Sequence, residues 1–113
     1  MSILSDLQVA LKSLPIPTET GVFSDAAPDE YIVVVPLTDT FVLFADDFPG
    51  TDIQEARISL FCKGNYLAAK KAVVKALLVA GFTITDRRYN GYETESGYHH
   101  YVVDVAKHYE MEE

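Results

Sequence analysis

Residues 53–82 read IQEARISLFCKGNYLAAKKAVVKALLVAGF, and two hydrophobic periods meet inside them. From Ile53 to Lys63, Ala56, Ile58, Leu60 and Cys62 alternate with Glu55, Arg57 and Ser59. Alternation of that kind marks a half-buried strand with its even positions inward. Gly64 ends the strand, and Asn65 is a good N-cap. The stretch from Tyr66 to Ala80 is rich in Ala, Leu and Lys and predicts a helix, with Gly81 where a C-cap belongs. Leu67, Val74, Leu77 and Leu78 are expected to form its apolar stripe, with Lys70, Lys71 and Lys75 toward solvent.

Upstream, Ile3, Leu4, Leu7, Ala10, Leu11 and Leu14 stand at helical spacing. An amphipathic helix over residues 3–14 follows, capped by Ser2 and stopped by Pro15 and Pro17. Residues 18–30 are turn-rich, with room for a short strand around Val22 and Phe23. YIVVVPL, residues 31–37, reads as a strand apolar on both faces. Pro36 marks an end, a bulge or an edge. FVLFA, residues 41–45, predicts a second short strand, and DDFPGTD, residues 46–52, a loop built on Pro49-Gly50. Downstream, FTITDRR (82–88) alternates as a strand, YNGYETESG (89–97) reads as its connection, and residues 98–109 as a long strand with Tyr101, Val103 and Val105 inward. The simplest solution is an α+β single domain spanning residues 1–113: a mostly antiparallel sheet of four or five strands, covered on one face by two helices, ending in a long C-terminal β-hairpin.

The chain has 113 residues, enough for one domain, and its single cysteine excludes an internal disulfide and every multi-cysteine zinc motif. The opening residues lack a basic lead before an apolar block, so no signal peptide is expected, and no apolar run approaches the length of a membrane helix. The net charge is −8, and it is unevenly placed. Residues 1–56 carry ten acidic residues against Lys12 alone, whereas residues 57–113 are close to neutral. Such a surface repels nucleic acid and favours solubility.

Catalytic and metal constellations are not formed by the sequence. His99 and His100 point to opposite faces of a strand, and His100 and His108 lie about 27 Å apart at strand rise, so a His-based metal site within one chain is not expected, while one between subunits stays open. Cys62 falls on an inward face and reads as a small hydrophobe. Asp46, Asp47 and Asp52 do not match a calcium loop. No phosphate-binding glycine motif, nucleophile elbow or zinc-protease motif occurs, so a non-enzymatic protein without cofactor or metal is expected. For Arg87 and Arg88 a contact to phosphate competes with ordinary ion pairing to Asp86 and Asp104 on neighbouring strands. Tyr89, Tyr92, Tyr98 and Tyr101 flank one connection, and tyrosine in that setting favours an interface.

Taken in order, the helix ILSDLQVALKSL, the Pro-rich break, PDEYIVVVP, the strand-to-helix passage IQEARISLFCKGNYLAAKKAVVKALLVAGF and the terminal TITDRRYNGYETESGYHHYVVDVA resemble the tail terminators and related tail-completion proteins of long-tailed bacteriophages. The resemblance covers nearly the whole chain. It implies a structural virion protein, assembled in the bacterial cytoplasm and placed at the head-tail junction. Such proteins form a ring, typically hexameric, on the finished end of the tail tube, halt its polymerisation and present a surface to head-completion proteins. DNA passes through the bore without specific binding. On that reading Asp39, Asp46, Asp47 and Asp52 are expected to face the lumen. Arg87, Arg88, Tyr89, Tyr92 and Tyr98 are expected to meet the acidic half of a neighbouring subunit. The alternatives are another head-tail connector component of the same particle, and a small acidic inhibitor that imitates DNA.

Overall fold

The structure, a computed structural model, describes residues 2–21, 28–45 and 48–110. Its elements run α1 (Ile3–Leu11), β1 (Thr18–Thr20), β2 (Glu30–Ala45), β3 (Phe48–Cys62), α2 (Tyr66–Val79), β4 (Thr83–Tyr92) and β5 (His99–Glu110). The five strands form one sheet in the order β1-β2-β3-β5-β4. All neighbours are antiparallel except β1 and β2, which are parallel. Both helices cover the same face, and the expected α+β two-layer domain is the one found.

The core lies where the alternation of β3 puts it. Ala56, Ile58 and Leu60 are buried together with Ile32 and Val34 of β2 and Tyr101, Val103 and Val105 of β5. Ile3, Leu7 and Leu11 of α1 and Ala69, Val73 and Leu77 of α2 close over them. Helix α2 is rotated from the expected phase: of the predicted stripe only Leu77 is fully buried, while Leu67 and Leu78 are 51% and 57% exposed. Ala69, Val73 and Leu77 recur every four residues, and Phe82 continues their line past Gly81, whose φ of +88° turns the chain back to the sheet.

Helix α1 begins as predicted, with the Ser5 N–H donating to the Ser2 hydroxyl at 3.3 Å, but ends at Leu11 rather than Leu14. A residue before proline avoids the helical region, and the last N–H groups tighten into three-residue bonds, Lys12 to the Val9 carbonyl and Leu14 to that of Leu11. Polar contacts tie α1 to the sheet. The Ile3 N–H donates to Gln54 Oε1 at 2.8 Å, and the Tyr109 hydroxyl donates to Asp6 Oδ2 at 2.6 Å.

Three other expectations change. The short strand in the N-terminal turn region is Thr18–Thr20, whereas Val22 and Phe23 lie outside the described residues. The two short strands at 31–37 and 41–45 are a single strand, β2, with the register shift between Pro36 and Asp39 that a mid-strand proline forces. The stretch predicted as a Pro-Gly loop is mostly the start of β3: Phe44 pairs with Pro49 and Ala45 with Phe48. At about 3.3 Å per residue, sixteen residues of β2 reach roughly 50 Å. The long axis of the molecule is 54 Å against 25 and 24 Å across. The radius of gyration is 15.5 Å, where about 13 Å is usual for this length.

The corrected phase of α2 has a direct check in urea denaturation. Leu77→Ala is expected to lower the unfolding free energy by about 2–5 kcal/mol, and Leu78→Ala by less than about 0.5 kcal/mol.

Candidate functional site

Strand β4 continues to Tyr92, so the residues read as a connection are partly strand. The turn is closed by the Glu93 N–H donating to the Tyr98 carbonyl at 2.9 Å and the Gly97 N–H donating to that of Glu93 at 2.7 Å. Register shifts between Ile84 and Asp86 and between Tyr89 and Gly91 interrupt the pairing of β4 with β5. They set which side chains share a face. Arg87, Tyr89 and Tyr92 pair with Val103, Tyr101 and His99, whose side of the sheet carries the helices. Asp86 and Arg88 pair with Asp104 and Val102 on the opposite, helix-free face.

The candidate interface residues are therefore divided between two surfaces. On the helix side, Tyr89 and Tyr92 gather round His99. The Tyr89 hydroxyl and His99 Nδ1 are hydrogen-bonded at 2.8 Å, and the Tyr92 ring centroid is 4.8 Å from that of His99. Tyr66, in the first turn of α2, lies tilted against Tyr89 and stacks on His99, with ring centroids 5.1 and 5.0 Å away. Tyr89 and Tyr92 remain 45% and 52% exposed, a partly wet aromatic patch beside Arg87.

On the helix-free face, Arg57 holds Asp104 with two hydrogen bonds of 2.9 and 3.1 Å. That bond pushes the guanidinium pKa up. Asp86, the register partner of Asp104, is paired by Arg88. The row Arg57–Asp104–Asp86–Arg88 thus alternates so that two facing carboxylates are each neutralised. The expected pairing is found for Arg88 with Asp86, whereas Asp104 is taken by Arg57.

Further along this face, Tyr31, Phe61 and His100 are cross-strand partners. Their rings stack at 4.8 and 4.3 Å. Tyr98 meets Tyr31 and Phe61 edge-on, and its hydroxyl donates to the Pro28 carbonyl at 2.5 Å. At 7% exposure Tyr98 is a buried part of the fold and offers little surface to a partner, unlike Tyr89 and Tyr92.

Of the four acids expected to line a bore, Asp46 and Asp47 lie outside the described residues. Asp39 follows the β2 bulge, opposite Gln54. Asp52 is half-buried, and its Oδ2 accepts a hydrogen bond of 2.8 Å from Gln54 Nε2. Because Gln54 also accepts from the Ile3 N–H, Asp52 helps hold the start of α1.

A groove of about 250 Å³ separates α2 from β4. Lys71, Lys75 and Arg87 stand on its rim and Val74, Leu78 and Val79 form its apolar side. Lys71, Lys75 and Arg87 have no ion-pair partner among the described residues, whereas the Lys70 ammonium lies 5.2 Å over the Tyr101 ring. The sequence hides this groove because Leu78, a large apolar residue at helical spacing, reads as core. The signal that could have revealed it is the Ala69–Val73–Leu77 spacing.

Among the described residues no group of three or more His, Cys, Asp or Glu gathers as a metal site. Nor is any described helix long and apolar enough to cross a membrane. Cys62 is buried, its thiol 3.3 Å from Glu30 Oε2, and burial pushes its pKa up, away from nucleophilic use. No protein-family model matches the chain, and no curated protein matches it.

His100 makes the stability pH-dependent. The Asn90 amide donates to His100 Nδ1 at 3.2 Å, so the neutral ring carries its proton on Nε2, which is buried without a partner among the described residues. Burial pushes the pKa down from its ordinary 6.5. As pH falls below that value the unfolded chain takes up the proton first, so stability falls until the pH passes the lower folded pKa. His100→Phe, which keeps a ring on Phe61, is expected to flatten the loss of stability between pH 7 and 5 in urea melts. An unchanged slope would contradict this assignment.

Proposed function

We propose that the protein is a structural component of a long-tailed phage particle that closes the head-proximal end of the tail tube as a homo-oligomeric ring and helps to join tail to head. The observation that carries this reading is the unlike character of the two sides of the subunit. One side is the long β2–β3 hairpin, residues 30–62, which hold six acids and one base, Arg57. The other is the β4 side, with Arg87, Tyr89 and Tyr92 exposed. A ring needs two different, complementary patches on each subunit, because every copy meets its neighbours head to tail. The sequence resemblance and the α+β two-layer fold support the same reading. So does the paired or packed state of the chemistry-bearing groups: Arg57, Asp104, Asp86 and Arg88 neutralise one another, and Cys62 is an inert buried thiol.

The net charge suits the passage of DNA. A subunit of charge −8 gives a ring whose field repels phosphate, and binding to a phosphate backbone is driven by basic side chains. DNA therefore slides through without adhering.

The test is polymerisation of the tail-tube protein of the same phage with and without this protein, read by negative-stain electron microscopy. Tubes are expected to be shorter in its presence and to carry a ring at one end, and Arg87→Glu is expected to weaken capping. Tubes of unchanged length with bare ends would contradict the tail-end role and leave head joining as the remaining virion function.

A further inference from the structure

We propose that the flank of α2 beside β4 is a docking surface for an acidic amphipathic helix of another protein. The proposal goes beyond the ring reading and does not depend on it, since Tyr89 and Tyr92 do not line this surface.

Helix α2 carries two apolar stripes, and its own fold uses one. Ala69, Val73 and Leu77 are buried against the sheet. One residue further round the helix, Leu67, Lys71, Val74 and Leu78 recur at four-, three- and four-residue spacing. That is the spacing of a helix–helix seam. Leu67, Leu78 and the adjoining Val79 are 51%, 57% and 80% exposed. The helix itself does not require them there, since Ala or Lys forms helix as well at a solvated position. From Leu67 to Leu78 the seam runs roughly 16 Å along the axis, about three turns. Beside it the layer of helices ends. β4 is the terminal strand of the sheet, and its residues are mostly exposed. A further helix laid against α2 at an interaxial distance of about 8–10 Å therefore has room above β4.

Charge selects the occupant. Lys71, Lys75 and Arg87 stand exposed along the groove without ion-pair partners among the described residues, in a chain whose net charge is −8. A helix that sets apolar side chains on Val74 and Leu78 brings its flanking positions beside these cations, and Asp or Glu there is complementary. In helix pairs such flanking charges set partner choice and orientation. A nucleic acid fits less well. The seam offers aliphatic side chains where a phosphate backbone asks for further cations, and the negative charge of the whole protein repels it. A small molecule fits less well too, because about 250 Å³ is below the usual size of such a site, whereas it accepts a few side chains of a docked segment.

The test is fluorescence anisotropy of the full-length protein with two labelled helical peptides. Both carry Leu at alternating three- and four-residue spacing on an Ala background, one with Glu and the other with Lys at the flanking positions. The Glu peptide is expected to bind at micromolar concentration and the Lys peptide not to bind. Lys71→Glu with Lys75→Glu, both at exposed positions, is expected to weaken the Glu peptide roughly tenfold and to gain binding of the Lys peptide, a recovery that a misfolded variant could not show. Leu78→Ala, at a position where the fold loses little, is expected to weaken the Glu peptide about fivefold to tenfold. No binding of the Glu peptide at millimolar concentration, equal binding of the two peptides, or a reversed groove that fails to take the Lys peptide would each overturn the proposal. So would tighter binding of a single-stranded oligonucleotide that displaces the Glu peptide. Self-association seen by sedimentation velocity and abolished by Lys71→Glu with Lys75→Glu would assign the groove to a second copy, and that too would overturn it.

Discussion

Strand β3 is the constraint on which the rest of the molecule depends. From Thr51 to Cys62 it is hydrogen-bonded on both edges, to β2 and to β5. Its even-numbered residues then have one direction only, into the core, and a one-residue slip would expose Ile58 and Leu60 while burying Arg57. The register of β3 therefore fixes those of its neighbours: Ile32 against Leu60, Ile58 against Val103, Arg57 against Asp104. The two helices are placed by what this alternation presents to them.

The sheet is covered on one face only, so its other face has to satisfy itself. It does so by cross-strand pairing rather than by a second layer. The Tyr31–Phe61–His100 stack runs across three strands, and the Arg57–Asp104–Asp86–Arg88 row runs across three. Val102, Asp104 and Ala106 are nearly inaccessible although no helix covers them. Groups that looked available for recognition, Arg88 and Tyr98 among them, are committed to this self-covering. What remains unmatched among the described residues lies at one side, in the groove between α2 and β4.

Much of this fold was legible in the sequence because its strongest signals are local. The alternation in residues 53–63, the caps Ser2 and Asn65 and the break at Gly81 each reflect a physical requirement of a few neighbouring residues. Strand lengths were less legible. Pro36 suggested an interruption that proved to be a bulge, and Pro49-Gly50 carried a turn signal that the pairing with Phe44 overrode. Helix phase was read from the largest residues, Leu67 and Leu78, whereas the core selected Ala69 and Val73, small enough for α2 to approach the sheet closely. The division of Arg87 from Arg88 could not be read at all, since it depends on two bulges in β4 that no local residue pattern announces.

These features describe a molecule whose interior is complete while the groove beside α2 stays open. The core is buried by the chain's own helices, yet an apolar, basic groove lies open between α2 and β4. Association with further copies is the central claim, and hydrogen exchange read by mass spectrometry at increasing protein concentration tests it most directly. Amides in peptides covering residues 41–52 and 84–92 are predicted to gain protection as concentration rises, while those of residues 56–62 stay protected throughout. Exchange at the hairpin and at β4 that does not depend on concentration would contradict the account.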